Sequence, residues 1–302
     1  MPDQDLIELR KMIAANPLPT DLEALRLAVD ADSERFPVGP DVSIERLSVG
    51  ASVPAEWTWT AAADPARVVL YLHGGGYMFG SILSHRHLVA EIGRASGSRT
   101  LAIDYRRSPE NPFPAAVVDA LASYRFLLER GFEPRHIALT GDSAGGGLVI
   151  STLVAIKEAS LPQPACGWVI SPWVDMEALG ETFISRADAD PMVKREIIMD
   201  FAKAYLNGAD PRSPLASPVH ADLRGIAPLL IHVGASEVLL DDALKLARAA
   251  GAVDVSVRLE IWPEMVHIWH VFHRILRDGH EAVQAGAKFL REAMNGQANH
   301  RS

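Results

Sequence analysis

The chain has 302 residues, 48% hydrophobic and 22% charged, a globular balance that can bury a large core in one long or two average domains. A net charge of −9 excludes the basic face that a nucleic acid or an anionic membrane requires. The single cysteine, Cys166, excludes an internal disulfide, and no stretch approaches the roughly 18 apolar residues of a membrane span.

The first 17 residues are acidic and amphipathic and lack the apolar core of a signal peptide, so a soluble cytoplasmic protein is expected. Cys166 sits in an apolar run and reads as a buried, inert thiol. The first pattern along the chain is a helix over residues 4–15, ended before Pro17. Thr20 and Glu23 form a capping-box pattern ahead of Leu22, Leu25, Ala28 and Val29 at helical spacing. Alternation at Ile44–Val49 and Trp57–Thr60 predicts outer antiparallel strands, and the apolar run Arg67–Leu72 predicts a buried one. Strand patterns recur at Thr100–Asp104, His136–Thr140, Gly167–Ile170, Leu229–Val233 and Val257–Ile261. Helical patterns at 84–96, 114–130, 144–160, 240–250 and 279–294 alternate with them, which predicts an α/β fold with a parallel sheet covered on both faces. The stretch Asp175–Pro218, with a helical piece near 193–206 and a Pro-rich return, breaks this rhythm. It reads as an insertion over one end of the sheet, able to form a lid with the N-terminal helices, with an ordinary long crossover as the alternative. The expected division is a helical cap segment over 1–40, core over 41–174, cap insertion over 175–218 and core again over 219–302.

Two motifs carry chemistry. Gly141-Asp142-Ser143-Ala144-Gly145 falls at a strand-to-helix junction, the signature of a nucleophile elbow. Small neighbours leave room for a strained serine, and the following helix aims its unpaired N–H groups at the same point. Negative charge developing on a substrate oxygen would be stabilised there. Alone, the pentapeptide also suits a Gly-rich turn with a solvent-facing serine. The second motif, His73-Gly74-Gly75-Gly76, follows the strand residues Leu70–Leu72 and leaves backbone N–H groups unshielded. A dinucleotide loop fails because position 79 is Phe79, and a phosphate loop fails because no lysine follows either glycine cluster. An oxyanion loop fits, with the N–H groups of Gly74, Gly75 and Ala144 as expected donors, Gly76 in support and His73 bracing the loop.

Together with Tyr105-Arg106-Arg107-Ser108-Pro109-Glu110-Asn111-Pro112-Phe113-Pro114-Ala115, these motifs resemble the hormone-sensitive-lipase-like family of bacterial esterases. That family is the Gly-Asp-Ser-Ala-Gly branch of the α/β-hydrolase fold, and the resemblance runs from about Pro65 to His267. Arg107 and Ser108 depart from the usual apolar pair. The resemblance implies a mostly parallel eight-stranded sheet with helices on both faces and a helical cap. It also implies a serine carboxylesterase acting on short- to medium-chain esters through an acyl-enzyme, without cofactor or metal.

In this fold a carboxylate and then a histidine follow the serine, each after a strand. His267, beyond the strand Val257–Ile261 and Pro263, is the expected base. Glu237 stands where the family has an aspartate that orients the histidine. Asp241 is the rival, its other role being to cap the helix that begins near Asp242. His270 and His273 follow His267 at i+3 and i+6, which do not share one helix face, and read as packing or surface residues rather than metal ligands. Tyr77, Met78, Phe79, Trp173, Met192, Phe201, Tyr205 and Ile268 are expected to wall an apolar acyl site. The resemblance further implies a homodimer through the edge strand Val257–Ile261. A lactone hydrolase on the same triad, and a non-catalytic binding protein akin to the plant gibberellin receptors, stay as alternatives. Asp142 receives no role from these arguments.

Overall fold

The computed structural model describes residues 4–32, 35–50 and 52–296. Two helices open the chain, α1 (Gln4–Ala15) and α2 (Leu22–Asp32). Asp21 rather than Thr20 caps α2, because its carboxylate is the group in register to accept the Ala24 N–H, at 2.9 Å. Then follow β1 (Val42–Val49), β2 (Val53–Thr60), β3 (Asp64–Leu72), α3 (Ile82–Ser96), β4 (Ser98–Ile103), α4 (Ala115–Glu129), β5 (Ile137–Asp142) and α5 (Ala144–Glu158). The second half holds β6 (Cys166–Ile170), α6 (Thr182–Ser185), α7 (Arg195–Leu206), β7 (Leu229–Gly234), α8 (Leu240–Gly251), β8 (Val257–Trp262) and α9 (Arg277–Met294).

The eight strands form one sheet in the order β1-β2-β4-β3-β5-β6-β7-β8. β2 runs antiparallel to both of its neighbours, and every pair from β4 to β8 is parallel. The expected α/β-hydrolase architecture is therefore present. β2 starts earlier than its visible alternation because Pro54 interrupts the pattern at the strand's beginning, where a missing N–H is tolerated.

Strand periodicity sorts the core into two layers. Leu70, Leu72, Leu139, Val169 and Ile231 pack with side chains of α4, α5 and α8 on one face. Val69, Tyr71, Ala138, Trp168 and Leu230, the alternate residues, pack with α3 and α9 on the other. Burial on both faces is why these strands read as continuous apolar runs. Cys166 lies fully buried in the second layer, and burial pushes its thiol well above the usual range, consistent with an inert side chain.

The N-terminal helices reach the loops at the carboxyl end of the sheet. Leu6 and Leu9 of α1 pack with Met265, Val266, Trp269 and Phe272. Arg10 donates to Ala189 O at 2.9 Å, and to Ser236 Oγ and Glu264 O at 3.0 Å. Arg26 of α2 donates to Met78 O at 2.8 Å and to Ser108 O at 2.9 Å, and pairs with Glu110 at 2.7 Å. Among the described residues no helix is long and apolar enough to cross a membrane.

Candidate active site

Ser143 joins β5 to α5 with φ 54° and ψ −121°, a conformation that costs a non-glycine residue on the order of 1–3 kcal/mol. The surroundings fix it on both sides. Its N–H donates to Ile170 O at 2.8 Å, and its carbonyl accepts from Gly147 N–H at 3.1 Å and Trp173 N–H at 3.0 Å. The turn is tight enough that a Cβ on Gly145 would stand 2.0 Å from Leu72 O, so glycine is what lets α5 lie against the end of β3. Ser143 makes no side-chain cap to the helix, and the Ala144 N–H, at the positive end of α5, has no partner among the described residues.

His267 Nδ1 and Glu237 Oε2 are 2.8 Å apart, both residues nearly inaccessible to solvent. The carbonyl-like partner is a carboxylate, so Nδ1 carries the proton and Nε2 is left as the acceptor. Burial disfavours the imidazolium, but the hydrogen bond and charge of Glu237 outweigh it and hold His267 above the ordinary histidine value. Burial lifts Glu237 above the ordinary carboxyl value, with His267 pulling the other way. The second carboxylate oxygen accepts from Ser171 Oγ at 2.7 Å and from the Gly234 N–H. That pair of donors holds the carboxylate from the side away from the imidazole. Asp241 is elsewhere: its carboxylate accepts the Thr182 N–H at 3.1 Å, tying α6 to the start of α8, and it does not cap α8.

The glycine loop departs from expectation at one residue. The Gly74 N–H is already donated to Asp142 Oδ1 at 3.0 Å, so it is not available to an oxyanion. Gly75 and Gly76, both at positive φ, carry N–H groups without a partner among the described residues. Asp142 thereby acquires a place. It is fully buried beneath the loop, accepting also from the Tyr71 hydroxyl at 2.6 Å and facing His85 Nε2 at 3.3 Å. Burial opposes both charges, and their attraction exceeds it: Asp142 is held below, and His85 above, the ordinary values. A side chain on Gly74 would meet Asp142 Oδ2 at 2.2 Å, which is why the loop can sit on this carboxylate. His73 lies against the loop. Its Nδ1 donates to Gly74 O at 2.7 Å, its ring stacks on Tyr105 at 4.2 Å, and burial lowers it to about 3, so it stays neutral.

The expected pocket walls divide into two groups. Phe79, Met192, Phe201 and Ile268 are partly exposed, and Phe201 meets Phe79 edge-on with ring centroids 5.9 Å apart. Phe201 also covers the glycine loop, since a Cβ on Gly76 would lie 2.3 Å from its ring. Tyr77, Tyr205 and Trp173 are core residues rather than walls: each is at most 1% exposed, and Tyr77 stacks on Tyr205 at 3.8 Å. Met78 is buried, and its carbonyl serves Arg26. Both His270 and His273 are buried, on the packing side of the alternatives read for them. Asp175, Glu177 and His220 could converge on a metal, but Lys245 already pairs with Asp175 at 2.9 Å.

A family model of the alpha/beta hydrolase fold matches residues 69–271. An acetyl-hydrolase of Streptomyces hygroscopicus is 48% identical over 239 residues, covering 79% of this chain and 80% of that protein. The crystal structure of an esterase from the bacterial hormone-sensitive lipase family superposes with a TM-score of 0.94 at 45% identity, over 97% of this chain and 99% of the other. The crystal structure of EstE5 soaked with p-nitrophenyl butyrate superposes with a TM-score of 0.93 at 44% identity, over 97% of this chain and 99% of the other. The chain therefore belongs to the bacterial hormone-sensitive-lipase-like esterases, carboxylic ester hydrolases of the α/β-hydrolase fold.

Proposed function

We propose that this protein hydrolyses short- to medium-chain carboxylic esters through an acyl-enzyme on Ser143. The observation that carries the reading is the buried 2.8 Å hydrogen bond between His267 Nδ1 and Glu237, which leaves Nε2 as the acceptor a base needs. Ser143 Oγ attacks the ester carbonyl while His267 Nε2 takes its proton, and Glu237 stabilises the imidazolium. The carbonyl oxygen, now negative, is held by the N–H groups of Gly75, Gly76 and Ala144. Each such donor is worth about 3 kcal/mol of barrier. His267 returns the proton to the departing alcohol as the C–O bond breaks. Water, deprotonated by His267, then attacks the acyl-enzyme and releases the acid and the free serine.

Two observations favour a small acyl group: Phe201 and Phe79 crowd the oxyanion loop, and relatives of the chain are named acetyl-hydrolases. Residues 1–40 and 175–218 are read as the cap over this site, a reading supported by Arg10 bridging Ala189, Ser236 and Glu264. A homodimer through β8 is read from its unpaired outer edge, where Ile261 is 45% exposed.

The test is a panel of p-nitrophenyl acetate, butyrate and octanoate with a simple lactone, assayed on wild type and on Ser143→Ala. Turnover is expected on the short esters, falling with acyl length and abolished in the variant. Absence of ester turnover, or full activity in Ser143→Ala, overturns the proposal.

A further inference from the structure

We propose that Ser171 is a positioning residue for the acid–base pair: its hydroxyl fixes the Glu237 carboxylate and the loop that carries His267 at the same time. This rests on the acyl-enzyme reading above. Ser171 directly follows β6, one residue after Ile170, whose carbonyl holds the Ser143 N–H. Its Oγ donates to Glu237 Oε1 at 2.7 Å and accepts the Ile268 N–H at 3.1 Å. One oxygen atom thus links the carboxylate after β7 to the residue next to His267 after β8, from a strand end hung beside the nucleophile. Its own backbone is pinned by donation to His232 O at 2.7 Å.

The local backbone supports a role for the hydroxyl. Ser171 is fully buried at φ 48°, and Ile268, its partner, lies at φ 46°. A glycine adopts such angles without strain, whereas a side chain there is held against a conformational cost by the structure around it. Strain of this kind at a buried serine is explained by what its oxygen does. Here the oxygen gives Glu237 Oε1 its second donor and the Ile268 N–H its acceptor. Without it, Glu237 Oε1 keeps only the Gly234 N–H, and the Ile268 N–H has no acceptor. The carboxylate and the histidine loop are then free to move relative to each other. Ser171 does not touch the substrate and acts through Glu237 and His267.

Ser171→Gly separates this role from plain packing, because it removes the strain together with the oxygen. The expected result is a folded protein with an undiminished melting temperature, KM within about twofold, and kcat lowered on the order of 10- to 100-fold, as when an orienting partner behind an active group is removed. The downfield proton resonance of the His267 Nδ1–H···Glu237 bond should broaden or vanish in Ser171→Gly and persist in Ser143→Ala. If Ser171→Gly does not fold, Ser171→Ala, which deletes only the oxygen, is put through the same measurements. Unchanged kcat and an unchanged resonance in a folded variant overturn the inference while leaving the triad intact. Activity surviving in Ser143→Ala instead overturns the acyl-enzyme reading itself.

Discussion

Replacing Glu237 by glutamine tests the acid assignment most directly, because the surroundings dictate which way the amide must face. Glu237 Oε1 receives the Gly234 N–H and the Ser171 hydroxyl. The backbone N–H cannot turn away, so the amide oxygen of Glu237→Gln must occupy that position. The NH2 group then faces His267 Nδ1, which must give up its proton to accept the new hydrogen bond. The proton moves to Nε2, the atom that should receive the proton of Ser143. The base is therefore present in the wrong tautomer, a defect that lowers kcat about 10⁴-fold in the Ser-His-Asp template. At 1.36 kcal/mol per decade this is about 5.5 kcal/mol of lost transition-state stabilisation. The volume change is negligible, so the melting temperature should stay near that of wild type. The assay is steady-state turnover of p-nitrophenyl acetate, with titration of Ser143 by a phosphonate to count competent sites. A folded variant keeping more than roughly a tenth of wild-type kcat would refute the argument, since no tautomer defect is that mild.

The remaining predictions concern groups outside that bond. Asp241→Asn should leave kcat within about threefold, because an asparagine oxygen can still accept the Thr182 N–H, and a loss as large as that of Glu237→Gln would move the acid to position 241. Acid should weaken the fold through buried neutral histidines. Burial lowers His273 to about 4, so below the unfolded value near 6.5 the unfolded chain takes up the proton first and stability falls until pH reaches about 4. That interval corresponds to about 3 kcal/mol from this side chain. Urea unfolding between pH 7 and pH 4.5 should show a smaller decline in His273→Gln, and identical declines in both proteins would remove His273 as a cause.

Most of the frame could be read from the chain because its signals are local. Parallel strands buried on both faces write apolar runs, and the Gly141–Gly145 turn needs small residues that stand out. Ser143, His267 and Glu237 followed from those runs, from chain order and from the family resemblance, and the hydrogen bond at His267 favours Glu237 over Asp241. What could not be read depends on contacts between distant residues. Nothing in His73-Gly74-Gly75-Gly76 reveals that the first glycine N–H is claimed by Asp142, 68 residues away. The aromatic residues Tyr77, Tyr205 and Trp173 are equally suited to a core or a pocket, and only packing decides. Ser171 carried a faint signal, a serine directly after the strand beside that of the nucleophile, but its two partners lie 66 and 97 residues further on.

The grip of Arg10 on Glu264 O spans 254 positions of sequence, from the first helix to the loop before His267. During synthesis, α1 emerges from the ribosome long before the carbonyl it will hold has been made. The elbow serine and the glycine loop are synthesised while the base is still missing. Assembly of a working site is thus among the last events in the life of the nascent chain. Until then, Leu6 and Leu9 lack the apolar surface of Met265 and Trp269 that covers them in the folded protein.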